Sequence, residues 1–169
     1  VLVGTEGLLI DRAVDALRKA VDSMGVPGFN IEVFDGKGLD AAPIISAART
    51  LPMMADMRMV LVRHADVMTP TEQTKLSEYL SDPSDSTCLV LTAAKLDGRQ
   101  KLVKTAKKQG YLVEAKAPRG RQLREFIQAE ATARDHNIAP QAIERHLILN
   151  NQRRIRLQPV DYAQLFSAQ

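Results

Sequence analysis

From residue 1 to roughly residue 115 the sequence alternates between short apolar runs and stretches whose apolar residues recur at helical spacing, and few folds accept that rhythm. Val1-Leu-Val3 is the first run. Gly4-Thr-Glu-Gly7 turns it into a segment from Leu8 to Val21 with apolar residues at 10, 13, 14, 17 and 21, an amphipathic helix. Gly25 to Gly28 ends that helix, Phe29 to Phe34 alternates like a half-buried strand, and Leu39 to Thr50 returns to helical spacing. Arg58-Met-Val-Leu-Val-Arg63 is too uniformly apolar in its middle for a strand with one wet face and reads as a central parallel strand. Thr69-Pro-Thr-Glu supplies cap residues and a first-turn proline to a helix over 71–80. Thr87 to Thr92 is the next strand, Arg99 to Gln109 the next helix, and Gly110 closes it before Tyr111-Leu-Val-Glu114. The alternation predicts an α/β domain, a parallel sheet with helices on both faces and right-handed crossovers.

Pro118 marks a boundary, after which the strand signal almost vanishes. Leu123, Phe126, Ile127 and Ala131 keep helical spacing, Pro140 starts a second helix through Ala142 and Ile143, and a short extended turn at 154–162 feeds a last helix. The expected organisation is an α/β domain over 1–117 and a small helical domain over 118–169. A chain of 169 residues can build both. No run approaches the roughly 20 apolar residues of a membrane helix, and no signal peptide is seen. The single cysteine, Cys88, lies in an apolar run that reads as buried strand and has no partner for an internal disulfide. A cytoplasmic protein without membrane contact is expected. The sequence opens on Val-Leu-Val-Gly, already inside a strand, so further residues are expected ahead of it.

The strand, glycine turn and helix at the start stand where nucleotide-binding folds place phosphate. Gly4-Thr-Glu-Gly-Leu-Leu-Ile has neither the Lys nor the hydroxyl of a P-loop, and the dinucleotide fingerprint is absent from this turn. Glu6 would repel phosphate. After Met59-Val-Leu-Val62, where an ATPase presents an acidic pair, the chain offers Arg63-His-Ala-Asp66. His64, His136 and His146 are scattered and no second cysteine accompanies them, so no metal site and no cofactor are expected. His64 ends a strand where catalytic groups of α/β enzymes often sit, though a structural role is the commoner one there. Cys88 lies within its strand, away from a helix N-terminus, and reads as an inert thiol. A nucleotide scaffold without its catalytic residues serves best as an interaction module.

Two features are left to carry function. In Thr50-Leu-Pro-Met-Met-Ala-Asp-Met-Arg58, Pro52 stops a helix, and Leu51, Met53 and Met54 cluster where polar turn residues are expected. Exposed, this loop suits a contact with another protein; folded back, it caps the sheet, and composition does not choose between the two. The second feature is a basic stripe of Lys101, Lys104 and Lys108 opposite Leu102, Val103 and Ala106, able to follow a phosphate backbone or simply to be solvated. It belongs to a basic half of the chain. Residues 1–94 carry 8 basic and 13 acidic side chains, residues 95–108 carry 6 and 1, and the arginines at 119, 121, 124, 153, 154 and 156 add to the positive side. Aromatics at 4% with no Trp argue against a surface that stacks single-stranded bases.

Together these residues resemble the delta subunit of the bacterial DNA polymerase III clamp loader. The likeness runs through the opening Leu-Val-Gly-Thr-Glu-Gly-Leu-Leu-Ile, Phe29-Asn-Ile-Glu-Val-Phe-Asp35, Ala48 to Val62 with its Leu-Pro-Met-Met-Ala-Asp-Met-Arg segment, Tyr79 to Leu91, and Lys95-Leu-Asp97. It covers the chain to about residue 143. The resemblance implies an AAA+-type fold, a RecA-like first domain followed by a helical lid, without ATPase activity, in a subunit of a DNA-directed DNA polymerase holoenzyme. It implies replication partners: the sliding clamp (beta subunit), the gamma/tau and delta prime subunits, and DNA through the assembled complex. In the family the loop after the second helix enters a pocket on the clamp and opens it for loading onto DNA. Leu51 and Pro52 lie in that loop here, and Met53 and Met54 match its two key side chains, the second more usually aromatic. The family continues into a third, collar domain that this chain does not reach, and against the family the lid is short near 145–150, which points to missing residues there. Other classes remain open: an α/β nucleotide-dependent enzyme with an atypical phosphate turn, or a plain DNA-binding module.

Overall fold

The computed structural model describes residues 1–116 and 121–133, the side chains at 127 and 129–133 excepted. The chain divides into two compact units, Val1–Ala115 and Lys116–Gln169. The first is built from β1 (Leu2–Val3), α1 (Gly7–Asp22), β2 (Ile31–Asp35), α2 (Ala41–Arg49), β3 (Arg58–Arg63), α3 (Pro70–Tyr79), β4 (Thr87–Ala93), α4 (Lys101–Lys108) and β5 (Val113–Glu114), with a single 3₁₀ turn at Ala65–Val67. In the second, α5 (Arg121–Ala133) is described. The expected boundary at Pro118, the helices from Pro140 onward, the short stretch near 145–150, His136, His146 and the arginines at 119, 153, 154 and 156 lie outside the described residues.

All strand pairs are parallel, and the order across the sheet is β2-β3-β4-β1-β5. The chain starts inside the sheet, crosses to β2 at one edge, and walks back through β3 and β4 to β5 at the other. The backward steps place α2, α3 and α4 on one face, where Ile44, Val60, Val62, Leu76, Leu91 and Leu102 are buried together. The single step the other way places α1 on the opposite face, over Met59, Leu61 and Val90, with Val14 and Val21 buried against them. Opposite directions with helices on opposite faces are what crossovers of one hand require. Because β3 and β4 are covered on both faces, their middles are continuously apolar.

Two strand readings change. The half-buried strand expected over Phe29–Phe34 begins at Ile31 instead, and both Phe29 and Val33 are exposed. The cause is strand order: β2 pairs with β3 alone and stands at the edge. Cys88 lies in β4 as expected but is only partly buried, packed under the α1 face; burial still pushes its thiol up from the ordinary value, which keeps it unreactive.

Helix α2, which leads into the candidate loop, is held at both ends by α3. The carboxylate of Glu72 accepts the Ala41 N–H at 2.6 Å and the Lys75 ammonium at 2.8 Å, serving the first turn of a helix other than its own. The Tyr79 hydroxyl donates to Ala48 O at 3.2 Å and accepts the Ser84 N–H at the same distance. The expected cap of α3 is in place, Thr69 Oγ1 accepting the Glu72 N–H at 3.3 Å with Pro70 in the first turn.

Candidate functional site

Helix α2 stops because the residue before a proline avoids helical geometry and Pro52 follows closely. Thr50 takes extended geometry as its C-cap, while its hydroxyl and N–H return to Ser46 O at 2.8 and 3.1 Å. The seven residues 51–57 then cross to β3 at the N-terminal edge of the sheet. Here the structure decides between the two readings of the loop: Leu51, Met53 and Met54 are 76%, 57% and 73% exposed, Pro52 is half-buried, and no cap over the sheet is formed. Leu51, Met53 and Met54 thus form an exposed apolar patch on one short loop.

Exposed methionines are ordinarily mobile, so what holds the backbone matters. The Asn30 side chain, 7% exposed, grips Met53 at two points: its amide NH₂ donates to Met53 O at 2.9 Å, and its carbonyl oxygen accepts the Met53 N–H at 2.7 Å. Only one orientation of the amide satisfies both groups. Asn30 is itself fixed at the sheet edge, where Met59 N–H donates to its backbone carbonyl at 2.8 Å. Met54 has φ +51°, a left-handed conformation uncommon for a long side chain that costs about 1–3 kcal/mol and persists only where the surroundings impose it.

Two further contacts brace the loop. Arg58, its side chain 12% exposed, pairs with Glu32 at 2.9 Å and reaches Thr50 O at 3.4 Å. The connection from α1 to β2 lies flush against the loop: Asp56 N–H donates to Met24 O, and a Cβ on Gly25 would stand 2.3 Å from the Ala55 Cβ. That neighbouring connection is itself apolar and exposed at Met24, Val26 and Phe29. Asn30 and Arg58 were missed by sequence reasoning. A buried Asn at the start of an edge strand is a signal only once its burial is known.

The lysine stripe is placed as expected: Lys101, Lys104 and Lys108 are exposed on α4 with Leu102, Val103 and Ala106 buried beneath. Lys101 is engaged with Glu78 of α3 at 3.1 Å, which leaves Lys104, Lys107 and Lys108 as the more available cations.

At the C-terminal edge, the start of the β1–α1 turn is close-packed at Gly4 while Thr5 and Gly7 stay exposed. A Cβ on Gly4 would meet Ala115 O at 2.1 Å, and Glu6 is 94% buried at the start of α1, its Oε2 without a hydrogen-bond partner. A buried carboxylate at that helix start opposes phosphate. His64, with φ +53°, is exposed and stands with Nδ1 3.4 Å from Asp35 Oδ2; the Lys37 N–H first, and His64 second, hold the Asp35 carboxyl below its usual range. Among the described residues no group of three His, Cys, Asp or Glu side chains is arranged to hold a metal, and no helix is long and apolar enough to cross a membrane.

The family model for the DNA polymerase III delta subunit matches residues 1–116. The chain is 30% identical over 158 residues to DNA polymerase III subunit delta of Bacillus subtilis, an alignment that takes in 88% of this chain and 45% of that protein. The chain thus spans about half the length of the curated relative it matches. Among solved structures it resembles the Bacillus subtilis DNA clamp loader delta protein, with a TM-score of 0.66 and 29% identity over 88% of this chain and 46% of that one. A gamma subunit-related protein of DNA polymerase III from Thermotoga maritima shares the fold at a TM-score of 0.52 and 18% identity, over 76% of this chain and 44% of that one.

Proposed function

The chain belongs to the DNA polymerase III delta subunit family, and from that membership we propose that it works as a non-catalytic clamp-loader component whose loop at Leu51, Pro52, Met53 and Met54 docks on the sliding clamp and opens it for loading onto DNA. The observation that carries this reading is the exposure of Met53 and Met54 on a backbone braced by Asn30 and Arg58. Apolar side chains kept in water by a fixed backbone gain most when a partner's pocket covers them, and the thioether adapts to that pocket's shape. The β1–α1 turn, with Glu6 buried at the helix start and no P-loop Lys or hydroxyl, supports a subunit that takes no part in ATP hydrolysis. The second unit would then serve as the lid, meeting the other loader subunits, gamma/tau and delta prime. DNA would be reached through the assembled complex, with Lys104 and Lys108 the residues of α4 best placed to meet phosphate.

The test is a binding titration of the sliding clamp from the same organism. Met53→Ala combined with Met54→Ala is expected to weaken binding by about 2–4 kcal/mol, about 30- to 900-fold, after the cost of ordering the two side chains. Thermal unfolding should stay unchanged, because both side chains are exposed in the free chain. Unaltered affinity in the double variant overturns the assignment.

A further inference from the structure

We propose that Asn30 is a positioning residue for clamp docking: its side-chain amide, fixed by the sheet, keeps the Met53–Met54 segment in its binding conformation before any partner arrives. The inference rests on the clamp-docking reading above. The two hydrogen bonds from Asn30 satisfy both backbone groups of Met53, and its own carbonyl is tied to Met59 of β3, so the loop's position is referred directly to the sheet. Met54, the next residue, sits at φ +51°, which a free chain would leave. Asn30 is buried, so it acts on the partner only through the loop.

This role leaves a kinetic signature. When a docking segment is correctly placed for only part of the time, apparent affinity falls by that fraction, and the loss enters the association rate. Side chains that touch the partner act mainly on dissociation. Clamp binding kinetics should therefore be compared between the full chain, Asn30→Ala, Asn30→Asp and the Met53→Ala, Met54→Ala double variant, with amide exchange followed over residues 50–62.

Asn30→Ala is expected to lower the association rate tenfold or more with dissociation changed less than threefold, and to speed exchange at 51–55 while β3 stays protected. The methionine double variant should raise the dissociation rate. Asn30→Asp keeps an acceptor for the Met53 N–H but turns a second oxygen toward Met53 O, and should slow association at least as much as alanine; should either variant unfold, the other together with amide exchange at 51–55 reads the loop. Wild-type association and exchange in a folded Asn30 variant, with binding lost in the methionine variant, overturns this inference alone. A wild-type chain that fails to bind the clamp overturns the proposed function and this inference together.

Discussion

The two edges of the sheet are built on opposite terms. In open α/β sheets ligands are bound at the carboxyl ends of the strands, near the point where strand order reverses. Here the polar groups of that edge are engaged with one another: Gly4 lies against the Ala115 backbone, Glu6 is buried, exposed Asp35 faces exposed His64, and Asp66 accepts the Ala94 N–H at 3.3 Å. The N-terminal edge, ordinarily a place for stability, carries exposed Leu51, Met53 and Met54, with Met24, Val26 and Phe29 on the connection beside them. Under the proposed function the interaction surface stands at the other end, where polar groups beneath hold the apolar ones out. Asn30 and Arg58 do so.

The sharpest way to break this contrast is to add the same small group at each edge. Gly25→Ala puts a methyl 2.3 Å from the Ala55 Cβ and 3.1 Å from Met54 O; Gly4→Ala puts one 2.1 Å from Ala115 O. Each should cost about 1–3 kcal/mol of stability, measured by urea unfolding. Only the Gly25 variant should also weaken clamp binding, because only it displaces the loop. Equal loss of binding in both would mean that the edges are not separate.

The alternation of β1 to β5 with α1 to α4 was legible because interior parallel strands and amphipathic helices write their periods locally, as Met59 to Val62 and Leu102, Val103 and Ala106 do. The methionine cluster could be found but its exposure could not, since a run such as Leu-Pro-Met-Met reads alike as a surface or as a cap. The exposure of Val33 depends on β2 standing at the edge, which no local pattern records. Asn30 and Glu72 were hidden for a different reason. They serve backbone groups 23 and 31 residues away, and a main-chain partner leaves no trace in residue type.

Whether the edges communicate through α2 can be asked with pH. The Ala41 N–H first, and the Lys75 ammonium second, hold the Glu72 carboxyl below its ordinary 4.5, so its ionised form favours the folded state. A folded value below the unfolded one contributes stability that is fully present above about pH 4.5 and fades as pH falls through the folded value. Glu72→Gln should therefore be less stable than wild type at neutral pH and show a flatter stability profile below pH 4.5. If α2 transmits the loss to the loop, clamp association of this variant should also slow at neutral pH. Unfolding curves and binding rates at matched pH separate the two effects.

The smallest expected effect concerns the basic stripe, and it tests whether the N-terminal edge acts alone. Lys104→Ala with Lys108→Ala removes two exposed charges from α4 without touching Leu102, Val103 or Ala106 beneath, so folding and clamp affinity should stay within twofold of wild type. In the assembled loader, DNA affinity should fall a few-fold and its salt dependence should lose about 1 unit of slope for each phosphate contact removed. Lys101 is the internal control: its charge is already met by Glu78 at 3.1 Å, and its removal should change the slope less than removal of Lys104. An unchanged slope in the Lys104, Lys108 variant would make the stripe an ordinary solvated face and leave the methionine loop to carry the work. A lowered slope would mean that the unit meets protein at its strand edge and nucleic acid on a helix face, each through side chains the other does not use.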